Sequence, residues 1–108
     1  MASPPERRRH RRHEIPCRLR VELPSGDDLR ARTINVCDGG AYFVVDDPPE
    51  PGQELQVQLT VPRDTANTFF LEQFAARAKV VRKDRPADGR PGAGVALRFE
   101  KDLALDMA

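Results

Sequence analysis

The chain has 108 residues, 32% of them charged and 6% aromatic, and a formal net charge of only +1. This length suggests one domain with a lean core. The near-neutral total excludes a protein that works as a general polycation. The charge is nonetheless uneven: residues 1–20 hold seven arginines against Glu6 and Glu14, or +5, which leaves −4 for the remainder. A basic arm on a mildly acidic body favours a compact anionic partner over a long polyanion, which would also meet the body. Two cysteines, Cys17 and Cys37, without a CxxC spacing read as free thiols in a reducing compartment. No apolar stretch follows the basic N-terminus as in a signal peptide, and none is long enough to cross a bilayer, so a soluble cytoplasmic protein is expected, with no membrane insertion.

In chain order, residues 1–6 read as disordered, and "RRRHRRHEIP" (7–16) as an arginine arm running into a first strand. "CRLRVEL" (17–23) alternates apolar and polar residues through Cys17, Leu19, Val21 and Leu23, the period of a half-buried strand. "PSGD" (24–27) is a turn by composition. "DLRARTINV" (28–36) also reads as extended, but Leu29 and Ala31 fall on one face and Ile34 and Val36 on the other, which a bulge near Thr33 would reconcile. "CDGG" (37–40) breaks the strand, "AYFVVD" (41–46) is a short apolar strand, and "PPEPG" (48–52) is a stiff loop. "ELQVQLTV" (54–61) and "GVALRF" (94–99) alternate cleanly, and "KDLALDM" (101–107) suits one or two turns of helix. The stretch "FFLEQFAARAKVVR" (69–82) fits two periods. Leu71, Phe74, Ala75, Ala78 and Val81 make a helical stripe, while Phe74, Ala76, Ala78 and Val80 make a strand face. Propensity favours helix. Context favours strand, because five other segments already read as closely spaced strands, the pattern of a small antiparallel barrel or sandwich.

No catalytic set is suggested. His10 and His13 lie within the arginine run, their spacing with Cys17 fits no standard zinc pattern, and the neighbouring guanidinium groups would repel a cation. There is no P-loop and no dinucleotide fingerprint. No enzyme, no metal and no cofactor are therefore expected. The arm is all arginine and no lysine. A guanidinium presents a planar fork of donors that suits phosphate and the N7/O6 edge of guanine and stacks on a base. Taken by composition alone, such a run is more often a solvated or nucleic-acid-binding tail, and "NVCDGG" (35–40) is more often a plain bulged turn.

Taken together, the two stretches resemble the PilZ domain family, which carries RxxxR ahead of the first strand and [D/N]xSxxG between the second and third. Here the first motif reads Arg8-Arg9-His10-Arg11-Arg12 and the second Asn35-Val36-Cys37-Asp38-Gly39-Gly40. "GAGVALRF" resembles the family's closing strand, so the resemblance spans residues 6–107. It implies an all-β fold, a six-stranded antiparallel PilZ-type barrel over 14–108 with a flexible basic arm over 1–13 and a short C-terminal helical turn. It also resolves 71–82 as a strand. The ligand it implies is cyclic di-GMP, a bacterial second messenger with two phosphates and two guanines. Arg8 and Arg12 would grip phosphates and guanine edges, with Arg9 as an auxiliary contact. Arg7 and Arg11 repeat the spacing one residue earlier. Asn35, Cys37, Gly39 and Gly40 would form the opposing wall, and the arm would order on the ligand.

At position 37 the family usually has Ser. A thiol is a poorer donor and acceptor than a hydroxyl. One lost neutral hydrogen bond costs about 0.5–1.5 kcal/mol, roughly two- to tenfold in affinity. The expected function is a cyclic di-GMP receptor that signals through a separate effector protein, with motility, exopolysaccharide secretion and development as the family's outputs. The alternative is a PilZ-like interaction adaptor that does not bind nucleotide. A nucleic-acid-binding barrel is disfavoured by the acidic body and the few aromatics.

Overall fold

The computed structural model describes residues 16–85 and 92–105. Six strands appear in order: β1 (Arg18–Glu22), β2 (Asp28–Cys37), β3 (Gly40–Val45), β4 (Glu54–Asp64), β5 (Phe69–Asp84) and β6 (Ala93–Phe99). They close into an antiparallel barrel in the order β1-β2-β3-β6-β5-β4. The arm at residues 1–13, its boundary with the barrel, and Arg7, Arg8, Arg9, Arg11 and Arg12 lie outside the described residues.

The alternation read from the sequence sets the barrel's inside. Leu19 and Val21 of β1, Leu55, Val57, Leu59 and Val61 of β4, and Val95, Leu97 and Phe99 of β6 are buried, and Phe43 of β3 is buried among them. Each such side chain contributes about 1.5–3 kcal/mol of transfer free energy. β5 is a strand throughout, as context required against propensity. Ala78 and Val80 are buried, while Phe74 and Ala76 pack against the core and stay half-exposed.

The β2 bulge falls where the phase shift placed it. Thr33 pairs with Phe43 and Asn35 with Tyr42, so Ile34 is the extra residue. The consequence corrects one face assignment: Ile34 is pushed out to 49% exposure, while Thr33 joins Val36 inside. Thr33 is tolerated there because Cys17 N–H donates to its hydroxyl at 2.9 Å and Thr33 N–H donates back to the Cys17 carbonyl at 2.9 Å. Neither cysteine is in a disulfide.

The barrel end below the β2–β3 hairpin is closed by the segment after β6. No helix occurs there through Leu105, and 106–107 lie outside the described residues, so the expected C-terminal helical turn is not seen. Instead Leu105 inserts fully into the core. Leu103 N–H donates to the Asp38 carbonyl at 2.8 Å and Leu105 N–H to the Asp38 carboxylate at 3.2 Å. The Arg63 guanidinium donates to the Leu105 carbonyl and pairs with Glu72.

Candidate functional site

The stretch "NVCDGG" is a tight hairpin rather than a break. Cys37 ends β2, Gly40 starts β3, and only Asp38 and Gly39 turn between them. Val36 and Ala41, paired across the hairpin, are buried, so the flanking pairs face outward. Those pairs are Asn35 with Tyr42 and Cys37 with Gly40. The structure thus brings Asn35, Cys37 and Gly40 onto one outer face. Gly39 contributes a carbonyl that accepts from Phe99 N–H at 2.9 Å.

Gly40 is required by packing. A Cβ there would stand 2.1 Å from the Leu97 carbonyl oxygen of β6, so only glycine allows β3 and β6 to approach. The Leu97 carbonyl fills the space a side chain would take, so nothing projects from the outer face at this position. The register continues the row from Gly40 to Arg98 of β6, then to Lys79 of β5 and Glu54 of β4. Glu54, Arg77, Lys79, Arg98 and Glu100 line a groove of about 270 Å³ there. Arg98 and Lys79 have no ion pair among the described residues. Gly40 therefore lies in the register between Cys37 and two cations, Arg98 and Lys79, which share their groove with Glu54 and Glu100; a guanidinium beside polar side chains suits an anion.

Tyr42 forms the other rim. Its hydroxyl donates to the Asp84 carboxylate at 3.3 Å, and the Arg82 guanidinium lies 5.9 Å above its ring. Gly94 makes room, since a Cβ there would meet the Tyr42 hydroxyl at 1.8 Å. Burial raises the Tyr42 pKa, and the charge of Asp84 and its hydrogen bond add to the rise against the opposing charge of Arg82. The phenol stays a hydrogen-bond donor at neutral pH.

Cys37 is half-buried and Cys17 is fully buried at the barrel end. Burial pushes the Cys17 thiol up from its ordinary value, outweighing the lowering by its hydrogen bond with Thr33 and by the charge of Arg63. Both features mark Cys17 as a core residue. Among the described residues no group of His, Cys, Asp and Glu side chains is arranged to hold a metal ion, and His10 and His13 lie outside them.

Arg98 and Lys79 were not singled out from the sequence. Alternation alone places both on an outer face, but their nearness to Gly40 arises from strand pairing across long stretches of chain. A second cationic surface was also hidden. Arg18 faces Arg32 and Arg20 faces Arg30 across β1 and β2, with Asp28 bonded to Arg20 at 2.8 Å. Arg30 and Arg32 lie exposed on β2, ahead of Asn35 in the same strand.

The sequence profile of the PilZ domain matches residues 6–107. No curated protein matches the chain in sequence. Among solved structures, the Bacillus subtilis inhibitor of motility MotI/DgrA is similar with a TM-score of 0.76 at 18% identity, over 92% of this chain and 45% of that one. YcgR of Escherichia coli in complex with c-di-GMP gives 0.63 at 18% identity over 87% of this chain and 38% of that one. The isolated PilZ domain of the same YcgR with c-di-GMP gives 0.61 at 19% identity, over 88% and 79%. The chain spans less than half the length of the first two proteins, and the likeness to all three is one of fold. No helix among the described residues is long and apolar enough to cross a membrane. With a profile match over nearly its whole length and a closed six-stranded barrel of the same fold, the chain belongs to the PilZ domain family.

Proposed function

We propose that this chain is a cyclic di-GMP receptor that uses the outer face of β2, β3, β6 and β5. The observation that carries this reading is the row Cys37–Gly40–Arg98–Lys79, which sets the [D/N]xSxxG residues beside two cations with no side chain at Gly40 between them. Two of the similar structures hold c-di-GMP, and the family match extends through the arginine arm.

Chain geometry permits the arm to take part. Cys17 is tied to Thr33, two residues before Asn35. Arg12 precedes Cys17 by five residues, which span at most about 17 Å when extended. Arg8 and Arg12 would then close over this row, each offering a bidentate fork to a phosphate or to guanine O6/N7. Arg7 and Arg9 would add charge at the rim, and Asn35 would bond a guanine edge from the wall. Arg98 and Lys79 would hold the phosphate nearest Gly40. In this reading the protein positions a ligand and performs no chemistry on it. The ligand orders the arm, and the altered surface is read by an effector protein in the cytoplasm. In this reading the output is motility, a choice supported by the likeness to an inhibitor of motility.

A titration of the native protein and of Arg98→Ala with cyclic di-GMP tests the placement. Loss of about tenfold or more in affinity on removing one charge-assisted contact is expected. Unchanged affinity would move the ligand off this face.

One observation favours a second reading. The wall carries a thiol at Cys37 in the place of a hydroxyl, so a domain that has dropped the nucleotide and acts by protein contacts alone would need no other change at that position.

A further inference from the structure

The β4–β5 hairpin outgrows the barrel. β4 pairs with β5 from Glu54 to Asp64, but its other neighbour β1 reaches only Thr60. β5 begins at Phe69, but β6 joins it only from Ala78. Phe69 to Arg77 therefore has a neighbour on one side only.

Ladder alternation identifies which groups are left over. Thr65 N–H donates to the Thr68 carbonyl at 2.8 Å, so that pair is a hydrogen-bonded one. Counting inward, Arg63–Phe70, Val61–Glu72 and Leu59–Phe74 are hydrogen-bonded pairs as well. Phe69, Leu71, Gln73 and Ala75 then turn their N–H and C=O groups to the open side. The next residue of that set, Arg77, accepts from Glu100 N–H at 2.8 Å, as this phase requires. Among the described residues no backbone hydrogen bond reaches the other four.

A second feature points to the same missing neighbour. The inward side chains Phe74 and Ala76 are half-exposed, whereas Ala78 and Val80, where β6 flanks the strand, are 2% and 1% exposed. Phe69, Phe70 and Leu71 are exposed at 65%, 45% and 51%, a run of large apolar residues in water. The opposite edge of the same hairpin is blunted by Pro62, which has no N–H to offer. The β5 edge has no proline and no lysine over 69–76, and its single charge, Glu72, is held by Arg63.

We propose that this edge pairs with the same edge of a second copy of the chain, antiparallel about a two-fold axis, joining two barrels through one continuous sheet. Such an interface is self-complementary by symmetry. With the axis at Leu71, Leu71 meets its own copy, Phe69 meets Gln73, and Phe70 meets Glu72, so no like charges face each other. Phe69 and Leu71 of both copies share the outer face of the joint. The contact is short, so the dimer is weak and concentration-dependent. It does not depend on the nucleotide.

Sedimentation equilibrium of the full chain over a dilution series tests this, with hydrogen exchange read at single residues. The native protein should pass from one-chain to two-chain mass as concentration rises. The amides of Phe69, Leu71, Gln73 and Ala75 should gain protection over the same range. Leu71→Lys, at an exposed side chain, should keep the thermal transition and lose the two-chain species. Gln73→Pro removes an open-edge N–H without touching the β4 ladder and should do the same. One-chain mass up to millimolar concentration would overturn the proposal, even if the edge then captured an extended peptide. So would a two-chain species that survives Leu71→Lys with those four amides unprotected.

Discussion

The β2–β3 hairpin turns on Asp38 and Gly39 and leaves little of its backbone idle, whereas the β4–β5 hairpin leaves one side of a long strand open. In the first, the Asp38 carbonyl and carboxylate both accept from the C-terminal segment, and the Gly39 carbonyl accepts from Phe99. In the second, apolar side chains and alternating N–H and C=O groups face outward. One hairpin is tied down by hydrogen bonds within a single chain. The other is unfinished in a single chain. The contrast sets apart, on one small barrel, the face proposed for the nucleotide and the edge proposed for self-association.

The strongest way to break that contrast is at Gly40. Gly40→Ala places a methyl group 2.1 Å from the Leu97 carbonyl oxygen, and backbone cannot rotate away as a side chain does. A loss of about 3 kcal/mol or more is expected in denaturant unfolding. Leu71→Ala on the other hairpin should change the stability of the isolated chain by only about 0.5 kcal/mol. Equal effects at the two sites would erase the distinction.

Leu105→Ala comes next, at about 2–4 kcal/mol, because a buried side chain is deleted beneath the wall. Asp38→Ala should cost about 1 kcal/mol through one hydrogen bond to Leu105 N–H. Thermal scans of the two variants check this order, and the reverse order would mean that Asp38 holds more of the barrel end than Leu105.

The barrel end should also show in alkali. Cys17 keeps its proton longer in the folded chain than in the unfolded one, because burial raises its pKa above the ordinary 9.0. Its contribution to stability is therefore complete below that value and is lost as pH rises through the raised folded value. The melting temperature of the native protein should fall over that range, and Cys17→Ala should flatten part of the fall. Tyr42, raised for the reasons given above, adds to the residual slope.

The smallest expected effect sharpens the wall itself. Cys37→Ser places a hydroxyl on the outer face beside Gly40 and should tighten cyclic di-GMP about two- to tenfold. A calorimetric titration giving equal or weaker affinity would mean that position 37 makes no hydrogen bond to the ligand.

Much of the barrel was legible because period-2 alternation is local. Leu19–Val21, Leu55–Val61 and Val95–Phe99 declared their inward faces one strand at a time. The Thr33 bulge was legible as a phase shift, but the residue it would eject was not. Ile34 is the more apolar side chain, and Thr33 goes inside only because Cys17 meets its hydrogen-bonding needs. The β5 stretch was ambiguous by periodicity, since Ala75, Ala76 and Ala78 favour helix, and the strand that context and the resemblance required is what fills the gap between β4 and β6. Of the candidate site, Asn35, Cys37 and Gly40 were found through a motif. Arg98 and Lys79 were not, because their approach to Gly40 depends on registers that join residues tens of positions apart. The open β5 edge was equally hidden, since it is defined by where two neighbouring strands stop.

The most direct test of the receptor reading is isothermal titration calorimetry with cyclic di-GMP on the native chain and on Arg12→Ala in parallel. Micromolar or tighter binding that Arg12→Ala abolishes is the expected result, and it would put the arm and the barrel wall in one site. An absence of heat and of thermal shift, with ligand near millimolar, would contradict it and leave a PilZ barrel that works through protein contacts alone.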